Sequence, residues 1–197
     1  MSDTRARLAR RAALPVTVVL ITAAAMLWHH LPVPTQIYAP FDVHGSLGSQ
    51  ARGRSLAVTA TGVRIAPKGK FSLGPHFSST MSAAGVWVVV DATLSSIESS
   101  THPMADLVLG ANTYEVSLRP APGYGVRVDP GLPQHGYWAF DVAPELIEPS
   151  VARPFQLRVW PGGDERLNSR VVIDLDARPP ARVDVVTVRP YVIGPPE

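Results

Sequence analysis

Twenty prolines spread along 197 residues constrain the fold more than any other feature. An interior proline removes a helical hydrogen bond and its ring clashes with the preceding turn, so a long helical bundle or coiled coil is excluded. The body of the chain shows short runs of period-two alternation separated by turn residues. In GVWVVVDATL (85–94), Val86, Val88, Val90, Ala92 and Leu94 share one face, and Trp87, Val89, Asp91 and Thr93 share the other. This predicts a core strand with one partly wet face.

Similar alternation groups Tyr114 with Val116 and Leu118, Trp138 with Phe140 and Val142, Phe155 with Leu157 and Val159, and Val171 with Ile173 and Leu175. Leu56, Val58 and Ala60 alternate up to Gly62, after which Val63 and Ile65 take the opposite parity. A bulge near Gly62 keeps both sets on the core. Gly110-Ala111-Asn112 between two such runs predicts a hairpin, and Ala143-Pro144-Glu145-Leu146 predicts one helical turn. Residues 182–188, after Pro179-Pro180, read as an edge strand or an extended tail. Seven or eight short strands predict an all-β fold, an immunoglobulin-like antiparallel β-sandwich over 55–188. Long loops are expected at 66–84, 95–103, 119–125 and 130–136, where binding usually resides.

The net charge of +2 is unevenly placed. Arg5, Arg7, Arg10 and Arg11 face only Asp3, which gives +3, and the other 14 basic and 15 acidic residues sum to −1. The folded body therefore lacks the basic stripe of a nucleic-acid surface, and no nucleic-acid partner is expected. The arginines precede an uncharged apolar run, 12–28, that covers about 26 Å at about 1.5 Å per residue, against a hydrocarbon core of about 30 Å. Trp28, His29 and His30 suit a membrane interface, and no Lys or Arg follows until Arg52. The layout predicts a basic cytoplasmic tail at 1–11, a transmembrane helix or uncleaved signal anchor at 12–33, a stalk or lead-in strand at 34–54, and a tail at 189–197. The alternative is a signal peptide cleaved at Ala23-Ala24-Ala25, with a secreted product. Either places the bulk outside the cytoplasm.

No chemistry-bearing motif accompanies this layout. Without cysteine there is no disulfide, thiolate site or cysteine nucleophile. The histidines, His29, His30, His44, His76, His102 and His135, lack the i, i+4 spacing of a zinc-protease helix. There is no G-x-S-x-G elbow, and 48–54 lacks the Gly-Lys-Ser/Thr ending of a phosphate loop. Asp174 and Asp176 project to the same strand face and Glu145 and Glu148 are near neighbours, but no calcium-loop pattern surrounds either pair. No catalytic residue, metal ligand or cofactor is assigned. Tyr124, Tyr137 and Trp160 are the aromatics assigned to a ligand or partner surface.

GVWVVVDAT (85–93) and DPGLPQHGYWAFDVAPE (129–145) resemble bacterial, actinobacterial-like extracellular immunoglobulin-like domains of unassigned activity, a family similar to the secreted mycobacterial immunoprotective antigens. The matching positions are Trp87, Val88, Val90, Asp91 and Thr93, then Pro130, Gly131, Phe140, Asp141, Val142 and Pro144. The resemblance covers about 54–176 and implies an exported sandwich without a catalytic residue. Sixteen Arg against two Lys fits a GC-rich genome. The expected function is a single-pass cell-envelope protein, not an enzyme. Its sandwich serves as an interaction or accessory module, with the bilayer and a membrane or envelope protein as partners. A cell-wall glycan or lipid binder is the alternative, and a secreted hydrolase a third.

Overall fold

The computed structural model describes residues 2–31, 37–72, 78–119, 127–147, 154–163, 166–176, 179–188 and 190–194, with side chains in the N-terminal helix from residue 15. The chain divides into two compact units, Met1–Ala39 and Pro40–Glu197.

The first unit holds α1, Ser2–His30, with Pro15 inside it. Its apolar side chains from Val16 to Trp28 are exposed, Trp28 at 79%. Among the described residues no helix is long and apolar enough to cross a membrane. The side chains described cover 15–30, which at about 1.5 Å per residue is about 24 Å. The fold has one N-terminal helix, and the transmembrane span expected at 12–33 is not found among the described residues.

The second unit is a mostly-β sandwich of two sheets. Sheet A has the order β1-β9-β8-β5-β6, built from β1 (Phe41–Ser46), β5 (Pro103–Leu109), β6 (Asn112–Glu115), β8 (Phe155–Pro161) and β9 (Ser169–Asp174). Sheet B has the order β10-β3-β4-β7-β12, built from β3 (Leu56–Ser72), β4 (Ser78–Ser96), β7 (Gln134–Val142), β10 (Ala181–Arg182) and β12 (Val192–Ile193). β2 (Ala51–Arg52) and β11 (Val185–Val188) also pair with β3. The chain changes sheet between β1 and β2, between β4 and β5, between β6 and β7, between β7 and β8, and between β9 and β10.

Alternation positions the main core. Val88, Val90, Ala92 and Leu94 meet Trp138, Phe140 and Val142 from the neighbouring strand and Leu157, Val159, Val171, Ile173 and Leu175 from the facing sheet, all buried. The register slips between Ala60 and Gly62, so the bulge expected near Gly62 returns Val63 and Ile65 to this core. The β5–β6 hairpin closes at Leu109 and Asn112, with Gly110 at φ 58°, a left-handed angle glycine adopts without a Cβ penalty. A 3-10 turn forms at Pro144–Ile147.

Several expectations are corrected. The sandwich is not wholly antiparallel: β1 runs parallel to β9, and β10 and β11 run parallel to β3. Twelve strands form among the described residues, because short pieces at the edges escape a period-two reading of long runs. β1 and β2 lie within 34–54 and belong to the sheets. Much of the loop expected at 66–84 is strand, since β3 and β4 continue as a long hairpin paired out to Ser72 and Ser78. Leu118 lies beyond β6 and is 95% exposed, so it does not join Tyr114 and Val116. The face bearing Trp87 and Val89 is partly dry: a second core of Ala66, Phe71, Trp87, Val89, Tyr137, Ala139, Val186 and Val188 covers it.

Candidate functional site

That second core exists because the C-terminal segment returns across the outside of sheet B. β10 and β11 pair with β3 at one side, and β12 pairs with β7 at the other. Alternation within β11 buries Val186 and Val188 and leaves Val185 and Thr187 exposed. Phe71 meets Trp87 edge-on at 5.3 Å between ring centroids and Tyr137 at 6.1 Å. Burial pushes the Tyr137 hydroxyl up to about 12, because the phenolate would lose its water.

Beside this core lies a cleft of about 560 Å³ between the sheet and the returning segment. Its polar wall comes from outward positions of three adjacent strands. Arg64 on β3 grips Asp91 on β4 through both ends of the guanidinium, at 2.8 and 2.6 Å, and donates from Nη1 to the Thr187 carbonyl at 2.8 Å. Such a planar fork on a carboxylate fixes orientation as well as charge. Thr61 donates to the Asp91 carbonyl at 3.1 Å. Thr93 Oγ1 lies 2.7 Å from His135 Nδ1, and His135 Nε2 lies 2.8 Å from the Gly194 carbonyl. A carbonyl only accepts, so Nε2 carries a proton, and in the neutral ring Nδ1 then accepts from the Thr93 hydroxyl. Val188, Pro190 and Val192 form the apolar lip. Arg64, Asp91, Thr93 and His135 thus bond to one another or to the returning segment, and the cleft acts as a polar seam.

The neighbouring end of the same face is fastened differently. Asp141 accepts from the Ala84 and Gly85 amides at 2.9 Å each and from Arg119 at 3.0 Å. Arg119 also donates to the Ser82 carbonyl and sits 5.2 Å from the centre of the Trp87 ring. At a loop end of the sandwich, Ser100 and Arg127 both donate to Asp129, which holds that carboxyl below its ordinary value, the Ser100 bond contributing most.

The assigned aromatics do not come together. Tyr137 is buried under the C-terminal segment, and Trp160 is half-buried on the outward side of β8 in the other sheet, opposite exposed Met104. Tyr124 lies outside the described residues, as do His76, Glu148 and the side chains of Arg5, Arg7, Arg10 and Arg11. Asp174 is exposed at the end of β9 and accepts from Gln156, while Asp176 lies in the turn beyond. Among the described residues no group of three His, Cys, Asp or Glu side chains is placed to hold a metal. Arg64 and His135 were missed, although both carry a visible signal: each has the parity opposite to the core residues of its own strand.

No protein-family model matches the chain, and no curated protein matches it. The fold is similar to that of an uncharacterized beta-sandwich protein from Clostridium difficile 630, with a TM-score of 0.44 and 10% sequence identity over 68% of this chain and 94% of that one.

Proposed function

We propose that the chain is a single-pass cell-envelope protein with a cytoplasmic N-terminus, whose sandwich is an exported, non-catalytic interaction or accessory module of an envelope complex. The observation carrying this reading is the exposure of Val16, Val18, Val19, Leu20, Ile21, Met26, Leu27 and Trp28 along one helix that begins among arginines. Apolar surface of that extent is stable in contact with lipid rather than water. Counted from Ala12, the uncharged stretch of this helix comes close to the length of a hydrocarbon core. The arginine bias orients the tail inward.

An immunoglobulin-like plan for the sandwich draws support from the strand order, β3-β4-β7 facing β9-β8-β5-β6, with three crossings between sheets from β3 to β9. The polar side chains of the cleft are engaged internally, which favours a scaffold over a catalyst. An enzyme reporter that is active only outside the cytoplasm, fused after Glu197, tests the topology. Activity in intact cells is expected, and activity confined to a cytoplasm-specific reporter at the same position overturns the reading.

A further inference from the structure

We propose that one end of the sandwich, where β1, β5 and β9 begin and β8 finishes, is a lipid-contacting surface that rests on the interface of the bilayer; the inference rests on the membrane reading above. Hydrogen bonds and strand bridges tie the segments of this end to one another. The Phe41 amide donates to the Asn168 carbonyl, the Arg54 amide to Ser169 Oγ at 2.6 Å, and the Ile97 amide to the Ser55 carbonyl. Ser96 bridges Pro130, the Gly194 amide donates to the Pro133 carbonyl, and Pro103 pairs with Pro161.

Exposed large apolar side chains gather here. Phe41 is 65% exposed, and Met104, Leu132, Leu167, Val192 and Ile193 are each about half exposed. They come from separate strand starts and turns and from β12, so the alternation of one strand does not account for them. In the rest of the described second unit the exposed side chains of this kind are Leu118, Val183 and Val185, with Tyr191 beside Val192. The backbone holds two of them in place. Leu167 sits at φ 55°, a left-handed angle that strains a bulky residue, and Leu132 follows Gly131 at φ 75° in a turn closed onto the Asp129 carbonyl.

A patch of this kind marks either a protein contact or a membrane contact. The chain connection favours lipid. Phe41 is where the chain from α1 enters the sandwich, through residues 31–40, so a helix held in the bilayer delivers this end to the surface first. Ile37 and Tyr38 in that connection are exposed as well, and an aromatic ring with a polar tip suits the headgroup level. Charge contributes little: Arg54 lies 4.0 Å from Glu98, and Arg127 lies 2.7 Å from Asp129. The contact is therefore apolar and does not depend on anionic headgroups.

The natural chain has no cysteine, so single labels are unambiguous. Full-length Leu167→Cys and Ser78→Cys chains, each carrying an environment-sensitive fluorophore, are reconstituted into phosphatidylcholine vesicles containing a lipid spin-labelled near its headgroup. Lipid quenching at Leu167→Cys is expected to be at least twofold stronger than at Ser78→Cys. Adding Phe41→Asp and Leu132→Asp, both at exposed positions, is expected to bring it down to the Ser78→Cys level while the protein stays in the vesicle pellet at alkaline pH. Equal quenching at the two sites in alkali-resistant protein overturns this inference and leaves the membrane reading standing, whereas release by alkali overturns both. Protection of Leu167→Cys from aqueous iodide without lipid quenching means that a protein covers this end, and it too overturns the proposal.

Discussion

Buried Tyr137 links a single hydroxyl to the stability of the second core. Its folded value of about 12 lies above the ordinary value near 10, so the neutral form is favoured by folding. The stability it contributes is fully present below pH 10 and is lost as pH rises toward 12, by up to about 2–3 kcal/mol. Tyr137→Phe removes the titrating group, and the fall in Tm between pH 10 and 12 is expected to be smaller in the variant than in the parent. Equal slopes contradict this account. Asp129 works in the other direction: its carboxyl is held low by Ser100 and Arg127, so its contribution is present above the ordinary carboxyl range and fades as pH falls. Ser100→Ala is expected to move the Asp129 titration upward, followed by side-chain carboxyl NMR. Gly85 is a steric case. A Cβ there would sit 2.1 Å from the Val142 carbonyl, so Gly85→Ala is expected to cost about 1–3 kcal/mol in denaturant unfolding.

The core-facing stretches of the strands were legible in the sequence because burial on one face imprints period two on the residues themselves, whereas the outer halves of β3 and β4, within 66–84, were not. Trp138, Phe140 and Val142, and the parity change at Gly62, took their expected places for that reason. The outward faces were legible only in part, since Trp87 and Val89 look the same whether a solvated face or a returning segment covers them. What covers them is a segment more than ninety residues further along the chain, whose pairing with β3 leaves no local pattern beyond the alternation of Val186 and Val188. The motif residues Asp91, Thr93 and Asp141 likewise read as solvated strand positions, yet each fixes a partner: Arg64, His135, and the Ala84 and Gly85 amides. At this scale the second core is testable. Val188→Ala is expected to lower stability by about 1–3 kcal/mol. His135→Ala is expected to speed amide exchange in β12 while leaving β4 and β8 protected.

At the scale of the whole molecule, the charge asymmetry of the sequence and the exposed apolar helix point the same way. A near-neutral sandwich follows a segment whose surface is unsuited to water, and the topology proposed above is the arrangement that satisfies both. The most direct test uses Ser78→Cys, at an exposed strand position in a chain that has no other cysteine. Labelling of this site in intact cells by a membrane-impermeant maleimide, with the labelled protein remaining in the membrane pellet after alkaline extraction, is the predicted result. Labelling only after lysis, or release of the protein into the alkaline supernatant, would contradict an exported sandwich held to the membrane by its N-terminal helix.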